Sequence, residues 1–413
     1  MNEYIKKPEL LIPAGNLETL KTAIIYGADA VYIGGDMYGL RAKAKNFSLE
    51  AMKEGIAFAH EHGKRVFVTA NITAHNKDLS GIRNYFRELK GFGEHCPDAV
   101  IISDPGVFTI ALEELPGVEL HISTQANNTN YETYRFWHRL GAKRVVSARE
   151  LSLQELVELR ANIPADMEIE TFVHGAMCIA YSGRCLLSNY FTGRDANQGA
   201  CTHSCRWKYH LVEETRPGEY LPVEENERGT YIFNSKDLCM IEYIPELVKA
   251  GINSFKIEGR MKTALYVATV ARTYRKAIDD FFTDPQIYEE NKEKYLEEVR
   301  KGVNRQFTTG FFFGKPSAED QIYEHNTYEK AYTYLGTISS EKDGLYGLEQ
   351  KNKFSVGEEI EVIKPNGDTL YVTVKAINDE EGNSMDSCPH PQQSIFVDLG
   401  TTLDIYDILR RKE

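Results

Sequence analysis

A glycine recurs at one point of a repeated unit in this chain, just after a helical stretch and just before an apolar strand, and that placement leaves few folds open. Gly27 begins GADAVYIGG, Gly141 begins GAKRVVSARE and Gly251 begins GINSFKIEGR. Glycine at the residue after a helix suits the left-handed backbone that other residues resist. The helix expected over 17–26 carries Leu17, Leu20 and Ile24 on one face, with Asn16 placed to cap it. Strand candidates alternate with such helices at Glu9–Pro13, Ala30–Gly34, Arg65–Ala70, Ala99–Ser103, Glu119–Thr124, Arg144–Ser147, Glu168–Val173 and Ser254–Glu258. Eight βα units in this order predict an α/β fold, a TIM-like (β/α)8 barrel. The doubly wound sheet lacks support, because PAGN after the first strand holds a single glycine and no dinucleotide fingerprint.

Barrel enzymes work at the carboxyl ends of their strands. The residues expected there are Asn71, Thr73, Asp104, Gln125, Arg149, His174, Glu258, Gly259 and Arg260, with Lys256 on the last strand. A long insertion over 175–240 separates the seventh and eighth strands, so the predicted barrel domain spans 1–265. A helical extension is expected over 266–328, and short alternating strands with a Pro365-Asn366-Gly367 turn predict a small β-barrel domain over 329–413.

The insertion is the chemical centre. It holds Cys178, Cys185, Cys201 and Cys205, with Cys239 following, while only Cys96 and Cys388 lie elsewhere. The beginning MNEYIKKPELLIPAGN has no apolar stretch suited to secretion, and no run is long enough to span a membrane, so a cytoplasmic protein with no membrane association is expected. An odd count of seven cysteines in 413 residues, enough to bury an ample core, argues against a disulfide scaffold. Clustered thiols in a reducing compartment hold metal or an iron–sulfur cluster. Zinc prefers two to four residues between paired cysteines, a habit that only Cys201 and Cys205 obey. His174 and His203 stand nearby as wall or substrate-contact residues rather than expected ligands.

The net charge of −13 argues against indiscriminate nucleic-acid binding. Locally the balance reverses: between Thr171 and His210, Arg184, Arg194, Arg206 and Lys208 are opposed only by Asp195. A solvated basic loop and an RNA contact are both compatible with that pattern. Tyr181, Tyr190, Phe191, Trp207 and Tyr209 are interleaved with these cations, as core residues or as surfaces on which a base can stack. Neither GxSxG nor HExxH occurs, and no nucleophile with its base stands out at the strand ends, so proteolysis finds no residue support.

Three stretches, PAGNLETLKTAIIYGADAVYIGG, FVHGAMCIAYSGRCLLSNYFTGRD and FKIEGRMK, resemble the U32 family, historically labelled collagenase-like peptidases. The resemblance runs the length of the chain, and NYFTGRDANQGACTHSCRWKY is most similar to the tRNA hydroxylation branch. It implies hydroxylation of C5 of the wobble uridine with prephenate rather than O2 as oxygen donor, contact with the tRNA anticodon loop, and in some organisms a paralogous U32 subunit. It also implies a [4Fe-4S] cluster on Cys178, Cys185, Cys201 and Cys239, with Cys205 as the alternative to Cys201. Catalytic roles are then expected at Glu258, Arg260, His174 and Asn71. Substrate contacts are expected at Arg184, Arg149 and Lys256, which with Arg260 are the cations suited to a dicarboxylate because a guanidinium grips a carboxylate through a planar fork, at Arg194, Arg206 and Lys208 on phosphates of the anticodon loop, and at Gln125 and Tyr181. Two other readings stay open: a U32 peptidase, and a non-catalytic cluster-bearing subunit that recruits tRNA.

Overall fold

The computed structural model describes residues 6–39, 46–178, 180–207, 210–211, 221–222, 235–320, 322 and 328–413. Strands β1 (Glu9–Pro13), β2 (Ala30–Gly34), β3 (Arg65–Ala70), β4 (Ala99–Ile102), β5 (Glu119–Ile122), β6 (Arg144–Val146) and β7 (Glu168–Gly175) are each one register step further round a parallel sheet. Helices α1 (Leu17–Ile25), α2 (Leu49–Glu61), α3 (Asn76–Lys90), α4 (Pro105–Glu114), α5 (Tyr131–Arg139) and α6 (Leu153–Asn162) lie between them in the chain. Beyond β7 come α7 (Leu187–Thr192), β8 (His210–Leu211), β9 (Leu221–Pro222), β10 (Asp237–Cys239), α8 (Ile244–Lys249) and β11 (Ser254–Ile257). β11 pairs in parallel with both β1 and β7, which closes the eight-stranded barrel. Gly27, Gly141 and Gly251 have φ of 104°, 98° and 75°, the left-handed conformation that their positions demanded.

Local chemistry explains where the helices begin. The Asp104 carboxylate accepts from the backbone N–H of Gly106 and Val107, so this strand-end acid caps α4. Ser152 and Glu155 form a reciprocal capping box on α6.

Alternate strand residues face the barrel interior, and its two halves differ. On β1 to β4, Leu11, Ala30, Tyr32, Phe67, Ala99 and Ile101 form an apolar cluster. On β5, β6, β7 and β11 the interior is ionic: Arg144 reaches Glu170 at 3.0 Å and Glu168 at 2.6 Å, and Lys256 reaches Glu170 at 2.6 Å. Glu170 is wholly buried; burial pushes its carboxyl up, but Lys256 and then Arg144 outweigh it and hold the group at about 2. His121, also wholly buried, is driven down to about 4 by burial and by Arg144. The hydrogen bond from His121 and the ion pair with Arg65 keep Glu119 at about 2.

These shifts set an acid limit on the fold. A His121 that stays neutral while its unfolded counterpart titrates near 6.5 favours folding fully above that pH, and the contribution is lost as pH falls toward 4. Glu170 and Glu119 add stability above about 4.5 that is lost as pH falls toward 2. The thermal midpoint is therefore expected to decline on acidification from neutral pH, and His121→Gln should flatten the upper part of that decline. An unchanged profile in the variant would show that His121 does not set it.

The chain divides into two compact units, residues 1–17, 29–261 and 305–328 forming one and residues 18–28, 262–304 and 329–413 the other. The stretch expected as a helical extension is shared between them. α9 (Ala264–Thr283) and α10 (Pro285–Arg300) belong to the second unit, while β12 (Phe307–Thr308) pairs with β10 in the first. β13 (Tyr332–Lys342), β14 (Leu345–Glu349), β15 (Glu359–Ile363), β16 (Thr369–Thr373), β17 (Ala376–Asn378), β18 (Ser384–Met385), β19 (Ser394–Asp398) and β20 (Ile408–Lys412) make an antiparallel half-barrel. It is ordered β16-β15-β20-β13-β14-β19-β17-β18 around a core that includes Leu335, Phe354, Val362 and Leu409. The turn between β15 and β16 is where Pro365-Asn366-Gly367 placed it, with Gly367 at φ 97°. Among the described residues, no helix is long and apolar enough to cross a membrane.

Candidate active site

The carboxyl ends of the barrel strands enclose a cavity of about 180 Å³. Its floor is the upper interior layer of the barrel: Tyr32, Ile101, Val146, Phe172 and Lys256. Asn71, Ser123, Gln125, Arg149, Glu258 and Arg260 rise from the strand ends around it. The cysteine-rich insertion supplies the roof, through Cys178, Tyr181, Ser182, Gly183, Cys185, Cys201, His203 and Cys205. Seven of the expected catalytic and substrate residues (Asn71, Gln125, Arg149, Tyr181, Lys256, Glu258 and Arg260) therefore share one cavity with four of the five expected ligand cysteines.

Hydrogen bonds hold the roof on the barrel. Arg149 Nη1 donates to the Ala176 carbonyl at 2.7 Å, with its guanidinium 3.9 Å from the Phe172 ring centroid. Gln125 Nε2 donates to Ser182 Oγ at 2.8 Å, and Asn127 Nδ2 donates to the Ser182 carbonyl at 3.0 Å. Further along, Thr73 N donates to the Asn197 carbonyl at 3.1 Å, and Gln198 donates to the Thr73 carbonyl. Glycines make these close approaches possible. A Cβ on Gly34 would collide with the Arg260 guanidinium, and one on Gly183 with the Gln125 side chain. Arg260 thus threads past Gly34 to donate to Thr69 Oγ1 at 3.0 Å, nearly buried.

Lys256 reaches the cavity floor with its ammonium already paired to Glu170 and 4.5 Å from the Tyr32 ring centroid. Burial lowers its pKa while Glu170 opposes the shift. Arg149 and Arg260 are consequently the cations placed to meet an anion. Glu258 is the one carboxylate among the described residues that line the cavity.

The other expected residues lie elsewhere. His174, on β7, is buried outside the cavity lining, its ring 5.3 Å from that of Phe307 and its carbonyl accepting from Glu258 N at 2.8 Å. Cys239 is buried directly across the β7–β10 ladder from it. Arg184 is exposed and Arg194 half-buried on the insertion; Arg206 has its backbone in the turn 204–206, and Lys208 falls outside the described residues. Sequence reasoning missed Tyr32, Thr69, Ser123 and Phe172 as lining residues. Their signal was available in the two-residue period of the strands, which carries every second side chain inward.

Sulfur chemistry suits the roof: Cys178, Cys185, Cys201 and Cys205 all line one space, and none of them is in a disulfide. Among the described residues no three His, Cys, Asp or Glu side chains are drawn together into a metal-binding group. Four thiols on one space are donors of the kind that a thiolate-bound cluster requires. The cavity serines, by contrast, bond to amides: Asn71 Nδ2 donates to Ser123 Oγ at 3.2 Å, and Gln125 Nε2 to Ser182 Oγ. That is not the nucleophile–base pairing of a serine hydrolase.

Residues 15–322 match the profile of peptidase family U32, and residues 330–410 match the peptidase family U32 C-terminal domain. The chain belongs to peptidase family U32. Within the U32 family it is 42% identical over 408 residues to tRNA hydroxylation protein P1 of Bacillus subtilis, covering 98% of this chain and 95% of that one. It is 38% identical over 447 residues to tRNA hydroxylation protein P of Escherichia coli, covering 98% and 97%. Bacillus subtilis carries a second relative, tRNA hydroxylation protein P2, 37% identical over 311 residues that cover 75% of this chain and 98% of that protein.

Proposed function

We propose that this U32 protein is an RNA-modifying enzyme that hydroxylates C5 of the wobble uridine of tRNA, using prephenate as oxygen donor and a [4Fe-4S] cluster in the roof of the cavity. The observation that carries the reading is the facing of two chemistries across one space: arginines on the barrel rim and cysteines on the insertion above them. Near-full-length similarity to proteins named for tRNA hydroxylation supports the choice of reaction over peptide hydrolysis.

The geometry supports a division of labour. Arg260, fixed by Thr69, and Arg149, stacked on Phe172, offer guanidinium forks for the carboxylates of the donor. Uridine C5 is nucleophilic because N1 pushes electron density into the C5–C6 double bond. Forming the new C–O bond at C5 breaks the C–O bond of the donor, whose electron pair stays on the donor as it is reduced by two electrons while the base is oxidised, and it releases the C5 proton, for which Glu258 is the carboxylate in the cavity lining. Asn71 and Gln125 present amides to the base edge, and Tyr181 stands where the base enters. Cys178, Cys185 and Cys201 would hold the cluster with Cys239 as fourth ligand, and Cys205 is the neighbour able to replace Cys201. Bound there, the cluster supplies electron-transfer capacity next to the reacting centre.

The test is anaerobic incubation of the purified chain with prephenate and tRNA from a hydroxylation-deficient strain, reading 5-hydroxyuridine by mass spectrometry. Product from the chain alone supports the enzyme reading; product only after addition of a paralogous U32 chain identifies a recruiting subunit. Cleavage of casein or gelatin without tRNA retention would return the peptidase reading. Arg260→Ala should retain tRNA binding yet lose hydroxylation by about 100-fold, since a buried bidentate contact to a carboxylate is lost.

A further inference from the structure

An apolar strip on the outside of the insertion has no part in the cavity described above. Leu186 and Tyr190 are 72% and 82% exposed, and they share a face because Tyr190 N donates to the Leu186 carbonyl one helical turn back. The Tyr190 ring lies 5.2 Å from Phe191, and Phe191 lies 6.2 Å from Trp207, itself 45% exposed. Large aromatic side chains left in water side by side mark a recognition surface. Tyr181, five positions before Leu186 in the chain, is also exposed and lines the cavity.

The electrostatics around the strip are opposite to those of the whole protein. In the sequence Arg184 and Arg194 stand on either side of α7, and the one acid between Thr171 and His210 is Asp195, whose carboxylate accepts from Asn189 Nδ2 at 2.6 Å. Arg206 adjoins Trp207 in sequence. A cationic island on a chain of net charge −13 selects a polyanion, and exposed rings beside it select one with unpaired, stackable bases.

We propose that the strip formed by Tyr190, Phe191 and Trp207 is a stacking platform for unpaired nucleotides of an RNA loop, with Arg184 and Arg194 on the adjoining phosphates. The proposal rests on the hydroxylase reading and refines it. Nucleotides flanking the target stack on the outside of the insertion, so the reacting base is presented to the cavity past Tyr181. Recognition is accordingly of a single-stranded loop rather than of a paired stem, and the insertion serves as lid on one face and loop reader on the other.

The chain contains two tryptophans, and Trp137 is 5% exposed, which makes Trp207 the fluorescence reporter of this surface. Titration with an anticodon stem-loop RNA is expected to quench Trp207 emission, whereas a fully paired RNA duplex of the same length should not. Tyr190→Ala and Phe191→Ala should each raise KM for tRNA about tenfold with kcat and visible absorption unchanged, the loss of one stacked base. Arg184→Ala and Arg194→Ala should each reduce the salt dependence of binding by about one phosphate contact. Equal quenching by loop and duplex, or an unchanged KM in Tyr190→Ala, overturns the proposal. If that variant instead turns a dimer into a monomer on sedimentation, the strip is a protein interface. A wild-type chain that shows loop-specific quenching but never forms 5-hydroxyuridine overturns the hydroxylase reading and leaves the platform standing.

Discussion

Cys178→Ala and Cys185→Ala are each expected to give colourless protein with little iron and hydroxylation reduced below detection, against about four iron atoms per chain and visible absorption in the anaerobically purified wild type. Both thiols line the roof, and no other cysteine lies between Ala176 and Ser182 or between Gly183 and Ala200 to replace them. Cys239→Ala should behave likewise if the chain draws β10 into the ligand set, although Cys239 is buried across from His174 rather than open to the cavity. Cys205→Ala is expected to keep most of the colour. The reverse pattern, bleaching in Cys205→Ala but not in Cys201→Ala, would exchange the third ligand. Stoichiometric zinc in a colourless wild type would remove the cluster altogether.

Glu170→Ala should be the most damaging single substitution for the fold, costing about 3–5 kcal/mol because it leaves Lys256 and Arg144 as buried charges without their shared carboxylate. Arg144 retains Glu9 and Glu168, so the larger part of the loss is expected to arise at Lys256, which among the described residues forms an ion pair with Glu170 alone. Chemical denaturation measures it. Adding Lys256→Met to Glu170→Ala should recover part of the stability by removing the stranded ammonium; a double variant no more stable than the single one would show that the cost is cavity rather than charge.

This ionic half of the barrel interior also limits what sequence reading could assign. Lys256 is legible in the sequence as a cation near a strand end, and in the structure it reaches the cavity floor. Its partner Glu170 is 86 positions away, and only closure of β11 against β7 brings the two together. Similar reasoning covers His174 and Cys239. Both were visible as residues next to chemistry, but their burial behind the roof depends on β10 turning back antiparallel along β7. A two-residue antiparallel pairing has no periodic signature strong enough to read from sequence.

The exposed strip illustrates the same limit from the surface side. Tyr190, Phe191 and Trp207 were legible as aromatics among cations, yet aromatic composition is the same for a core and for a platform. Exposure separates the two, and exposure is a property of how α7 and the 204–206 turn sit on one another.

By itself the sequence determined the barrel, its strand order and the position of the cysteine-rich insertion. The controlling interactions there are local: glycine just beyond a helix, caps on polar residues, and inward-facing side chains at every second position. Tertiary structure alone decided which strand-end residues share a cavity, that Lys256 is neutralised by Glu170 while Arg149 and Arg260 face the space, and that α9 and α10 join α1 and the C-terminal half-barrel in one unit. Those outcomes depend on contacts between residues far apart in the chain, whose energies arise only once burial removes water from between them.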